Sequence, residues 1–145
     1  MGIINKPEKV KLFTGIIYNK YCKIEDIKSE LVKTLNEVDL SSLEMTFDFT
    51  DYYNNEMQGP PLYKKIYSFE NLIEMEDLAK IKTITNNIEK NFSSEGKRNC
   101  NIDPGYLCLS KLILASTKEF YHRIYIGRGI FAELTLYYKD NVMAK

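Results

Sequence analysis

A single histidine, His122, stands beside Arg123 in a chain with no other imidazole. It is the one side chain whose ordinary pKa lies near neutrality, which makes it the first candidate for a proton carrier, general acid or base. No Ser or Cys nucleophile accompanies it in a recognisable motif, and the plainer reading is a hydrogen-bonding residue next to a strand arginine. A second group is acidic: Asp48 and Asp51, with Thr50 between them and Glu56 further on. Oxygen ligands gathered at a strand end suit Mg²⁺, although the same residues serve as an exposed strand position and a turn residue. A third group is basic: Lys111, Lys118, Arg123 and Arg128, together with the corner Asp103-Pro104-Gly105. If that corner opens a helix, with Asp103 as N-cap and Pro104 in the first turn, its free N–H groups and the guanidinium forks suit a phosphate or carboxylate. Ordinary surface charge is the alternative. The strings G-x-x-x-x-G-K-[ST], G-x-G-x-x-G and H-E-x-x-H do not occur, so no phosphate loop, dinucleotide fingerprint or zinc-protease helix is encoded.

These groups need elements to position them. Residues 10–18 form a short apolar run that reads as a buried strand. Residues 23–37 carry Ile24, Ile27, Leu31 and Leu35 at helical spacing, with Val38 following in the same series, one apolar stripe for a sheet. Residues 43–49 alternate as a half-buried strand, and Gln58-Gly59-Pro60-Pro61 marks a loop. Residues 63–69 read as a strand, 75–92 as a second amphipathic helix, and 99–102 as a short strand. The order β-α-β-β-α-β is that of a ferredoxin-like split unit, an α+β sandwich in one domain spanning residues 1–145. Residues 107–116 favour a short helix, with a strand as the open alternative. Residues 121–126 and 130–138 read as an added C-terminal hairpin around a three-residue Gly127-Arg128-Gly129 loop. That register sets Arg123 opposite Glu133, and His122 on an apolar face opposite Leu134.

Lys+Arg and Asp+Glu number 20 each, so no net field favours nucleic acid or an anionic membrane. The three cysteines lack C-x-x-C spacing and read as free thiols rather than a zinc site or a disulfide framework. No charged-then-apolar leader and no membrane-length apolar run occur, and the expected location is cytoplasmic. The 11 Tyr and 7 Phe, with no Trp, suit a half-buried sheet face.

The strings FDFTDYYNNEM (47–57), PLYKKIYSFENLI (61–73), GKRNCNIDPGYLCLSKLILAST (96–117) and HRIYIGRGIFAELTLYY (122–138) together resemble an uncharacterised bacterial domain-of-unknown-function family. Its members often carry the automatic label GTP-binding protein. The resemblance runs from about residue 9 to residue 138 and implies little about activity, since neither the phosphate loop nor an Asn-Lys-x-Asp string stands behind that label here. It also implies a further Trp-, Tyr- and Pro-rich segment after the hairpin, which this sequence does not contain.

Two functional expectations follow. One is binding of a small anionic ligand, phosphorylated or nucleotide-like, near the Asp103-Pro104-Gly105 corner. Asp48, Asp51, Asp103, Lys111, Arg123 and Arg128 would border it, His122 would carry protons in any enzymatic version, and Mg²⁺ is a possible helper. The other is a non-catalytic module whose Tyr-rich sheet face binds protein or a second copy of the chain, a homo-oligomer.

Overall fold

The computed structural model describes residues 1–48 and 50–145. Its elements run in the order β1 (Lys11–Asn19), α1 (Ile24–Thr34), β2 (Val38–Ser41), β3 (Met45–Thr46) and β4 (Leu62–Phe69). A 3-10 turn (Met75–Asp77) then leads into α2 (Leu78–Asn91). The chain finishes with β5 (Cys100–Leu107), β6 (Lys111–Ser116), β7 (Arg123–Gly127), β8 (Ile130–Lys139) and β9 (Val142–Ala144). Among the described residues the strands join one antiparallel sheet in the order β2-β4-β1-β5-β6-β8-β7, with β3 also on β4 and β9 on β8. The first four positions, with α1 and α2 in the crossovers, reproduce the split β-α-β-β-α-β arrangement.

Both helices pack on one face. Ile27 and Leu31 of α1 and Ile81 and Ile88 of α2 meet Leu12, Ile16, Phe69 and Ile102 in the main apolar core. A second cluster, with Leu78 and Ala79 under Ile113, Ala115 and Ile130, ties α2 to the C-terminal strands. On the opposite face Met57 and Leu62 close over Ile17, with Tyr53 and Phe47 against them.

Four local expectations are corrected. The alternating strand over 43–49 is a broken edge: β2 and β3 are short, Leu43 is 87% exposed, and Phe49 lies outside the described residues. Ser42 breaks the ladder, its Oγ accepting the Ile66 N–H at 2.9 Å in place of a backbone partner. The segment 107–116 is not helical. Cys108 N–H donates to the Lys111 carbonyl at 3.0 Å, closing a tight hairpin from which Ile113 and Ala115 alternate into the core. The Asp103-Pro104-Gly105 corner is neither a turn nor a helix start but the middle of β5, with Pro104 opposite Thr14 of β1. Finally, His122 precedes β7 in a turn and does not face Leu134.

Pro104 is tolerated in an interior strand for a definable reason. Successive backbone groups of a strand point to opposite neighbours. The Ile102 N–H is turned away from β1, towards a side chain of α2. Pro104, two residues on, turns its nitrogen the same way. There β6 has already left: the β5–β6 ladder covers only Gly105, Tyr106 and Leu107. A residue with no N–H to donate sits where no strand would accept it.

Candidate active-site cleft between diverging strands

Where β5 and β6 part, the sheet opens into a cavity of about 560 Å³, a volume typical of small-molecule sites. Lys82, Asn86, Glu89 and Lys90 of α2 line it, with Ser93 just past the helix end. Steps of four and three residues put Lys82, Asn86 and Glu89 on one side of the helix, next to the apolar stripe that packs on the sheet. Lys82 and Glu89 are only 5% and 7% exposed. Their burial is supported by the orphaned backbone of β5. Glu89 Oε1 accepts the Ile102 N–H at 2.6 Å, while Lys82 Nζ donates to the Ile102 carbonyl at 3.1 Å and to Asp103 Oδ1 at 3.2 Å. Two helix side chains thus supply the hydrogen bonds a neighbouring strand would have made. Desolvation holds the Glu89 pKa above the usual glutamate range.

The network continues along β5. Asn101 Nδ2 donates to Asp103 Oδ2 at 2.8 Å, and Arg98 Nη1 donates to Asn101 Oδ1 at 2.9 Å. The same guanidinium lies 3.7 Å from Glu89 and is paired through Nη2 with Glu56. This wall holds Lys82, Lys90 and Arg98 against Glu89 and Asp103, with Glu56 behind Arg98.

The facing wall is built from β6, β8 and the connection into β7. Arg123 donates to Ser116 Oγ at 2.8 Å, to the Lys118 carbonyl at 3.0 Å and to Glu133 Oε1 at 3.3 Å. The Arg123–Glu133 pairing is the cross-strand register expected from the hairpin. The loop is tighter than expected, with Gly127 opposite Ile130 and Ile126 bulged out of register. His122 Nε2 meets Glu133 Oε1 from outside the cavity. Lys118 reaches across to Tyr52, its Nζ against the phenol oxygen and 4.6 Å from the ring centre. That contact closes the mouth between the 50s loop and the β6–β7 connection. Tyr52 and Tyr53 stack edge to face at 5.0 Å.

Of the residues singled out from sequence, Asp103, Arg123 and Lys118 line this cavity, and His122 sits one residue behind its wall. The others are elsewhere. Asp48 is exposed, and Asp51 Oδ1 accepts Asn54 Nδ2 at 3.1 Å within its own turn. Lys111 lies opposite Tyr137 at the far end of β6. Arg128 occupies the tip of the β7–β8 turn with φ of 57°. Among the described residues no three of His, Cys, Asp or Glu converge as a metal site, and no helix is long and apolar enough to cross a membrane. The sequence reading missed Lys82, Asn86, Glu89, Arg98 and Asn101. The signal available for the first three was their shared helical spacing beside an apolar stripe.

No curated protein and no solved structure matches the chain. A family model described as Domain of unknown function (DUF4416) matches residues 8–145, nearly the whole length, and the chain belongs to that family.

Proposed function

We propose that the cleft binds a small anionic, phosphate-bearing ligand. The observation that carries this reading is its charge: five cationic side chains line the cavity against three carboxylates. Lys82, Arg98 and Arg123 are held by carboxylates, whereas no carboxylate pairs with Lys118 or Lys90 among the described residues. Lys118 instead lies on Tyr52, a contact that an arriving phosphate oxygen replaces at small cost. Arg123 is fixed by three acceptors, so the wall is organised before any ligand arrives. The test is a thermal-shift series with orthophosphate, sugar phosphates and nucleotides on the wild type and on Lys118→Ala. Binding to the folded state raises Tm, and the substitution removes the rise. The absence of a shift with every phosphorylated compound rejects this function.

A second reading, self-association, has its own support. Edge strand β7 and its neighbours present Ile124, Leu134, Tyr138 and Val142 at 74%, 54%, 53% and 59% exposure, beyond the part of the sheet that the helices cover. An open edge with apolar flanks is a site for strand addition by a second copy. Sedimentation of the wild type and of Ile124→Lys tests it: a dimer lost on substitution supports this reading, and a wild-type monomer at high concentration rejects it.

A further inference from the structure

We infer that the ligand is a phosphorylated sugar or polyol, held with its phosphate at Lys118 and Arg123 and its hydroxyl-bearing body against Asp103, Asn101 and Asn86. This rests on the anion-binding reading above and assigns the two ends of the same cleft.

The two walls differ in kind. On the β6–β7 side, Lys118 and Arg123 face one lining carboxylate, Glu133, so a positive charge is left over. On the α2–β5 side three cations, Lys82, Lys90 and Arg98, equal in number the carboxylates Glu89, Asp103 and Glu56, with the ion pairs made by Lys82 and Arg98. The C-terminal turn of α2 adds its own bias. The helix ends at Asn91, and Lys90 and Ser93 line the cavity there. The carbonyls of Ile88, Glu89 and Lys90 there already accept from Phe92 and Ser93, but the helix dipole still leaves partial negative charge at this end, which repels an anion and which Lys90 offsets. The phosphate is therefore directed to the opposite wall.

What the α2–β5 wall offers instead is mixed hydrogen-bonding capacity. Asp103 is an acceptor whose side chain is 40% exposed, and Asn101 adds an amide already oriented by Arg98 and Asp103. Asn86 lines the cavity half-buried, and its side chain makes no hydrogen bond among the described residues. A free amide presents two donors and an acceptor. Carboxylate and amide groups side by side accept from and donate to vicinal hydroxyls, each of which is both donor and acceptor. Tyr52 and Tyr53 at the mouth supply apolar ring surface for a C–H-bearing ring face.

The experiment is calorimetric titration of the full chain with orthophosphate, ribose 5-phosphate, glucose 6-phosphate and the unphosphorylated sugars. The expected result is at least one sugar phosphate binding about tenfold more tightly than orthophosphate. Asn86→Ala then erases roughly fivefold of that margin while leaving orthophosphate affinity and the circular dichroism spectrum unchanged. Lys118→Ala weakens every phosphorylated compound together. If orthophosphate and the sugar phosphates bind equally, the polyol assignment falls and the anion-binding reading stands. If a margin exists but survives Asn86→Ala, the placement of the sugar body is wrong. If no phosphorylated compound binds, both fall together.

Discussion

Glu89 Oε1 accepts the backbone N–H of Ile102 at 2.6 Å, in the place a strand carbonyl would occupy had β6 continued alongside β5. The carboxylate is 7% exposed, and burial raises its pKa. A raised folded-state pKa means that folding favours the protonated form. The contribution is complete below the ordinary glutamate value near ~4.3 and is lost as pH climbs through the raised value. Glu89→Gln keeps an acceptor for Ile102 without the titration. Urea melts are expected to show the wild type gaining stability relative to Glu89→Gln as pH falls from neutral towards ~4.3. A difference that is flat or runs the other way contradicts the burial of this charge. Glu89→Ala, which strands the Ile102 N–H, is expected to cost about 2 kcal/mol near neutral pH and more as pH falls, because the variant also lacks the titrating carboxyl.

Lys82 completes the same residue from the carbonyl side. Its ammonium is shared between the Ile102 carbonyl and Asp103, and its side chain is 6% exposed against 40% for Asp103. Lys82→Met fills the stem volume but leaves a buried carbonyl without a donor. Because Asp103 remains partly in water, the expected loss is about 2 kcal/mol, below the ~3–5 kcal/mol of a fully buried broken pair. A midpoint in urea unchanged from the wild type shows that water satisfies Ile102 instead.

The crossover unit and the hairpin were legible for the same reason. Ile27 and Leu31, or Ile81 and Ile88, recur at helical spacing, and the Arg123–Glu133 pairing follows from a three-residue Gly127-Arg128-Gly129 loop, a register the structure reaches with a tighter turn and Ile126 bulged. Each depends on near neighbours in sequence. The cleft depends on where β6 stops pairing with β5, a relation between residues 102 and 115 that no local pattern encodes. Without it, Lys82, Asn86 and Glu89 read as a solvated helix face, since polar residues at helical spacing beside an apolar stripe describe both situations. Pro104 misled in the same way: proline signals a break only where its missing N–H would be needed, and here the neighbouring strand has already departed.

Gly105 is the last β5 residue paired to β6 before the two part, opposite Leu114. A Cβ there would run into the Ile113 carbonyl oxygen and come within 2.6 Å of Phe13 Cζ. The ring can rotate away, but the carbonyl belongs to the ladder and cannot move without breaking it. Gly105→Ala is therefore expected to cost about 3 kcal/mol, the upper end for overpacking, and to speed amide exchange at Tyr106 and Leu107. An alanine variant as stable as the wild type would mean that β5 and β6 are farther apart than described.

Arg123 ties the end of β6, the β6–β7 connection and β8 together through one guanidinium. Its guanidinium donates to Ser116 Oγ and to the Lys118 carbonyl, spans to Glu133 on β8, and lies 4.5 Å from the centre of the Phe120 ring. Between Ser116 and β7 the chain forms no strand or helix, and this side chain sets the path that carries Lys118 to the cleft mouth. A planar fork reaching three acceptors is not replaced by an ammonium, which at the end of the lysine stem reaches one or two of them. Arg123→Lys and Arg123→Ala are both expected to lose about 1–2 kcal/mol. Both should raise amide exchange across residues 117–122 while leaving β1 and β4 protected. Full rescue of that protection by lysine would show that only the charge beside Glu133 matters, and that the connection carrying Lys118 is ordered by something other than the guanidinium.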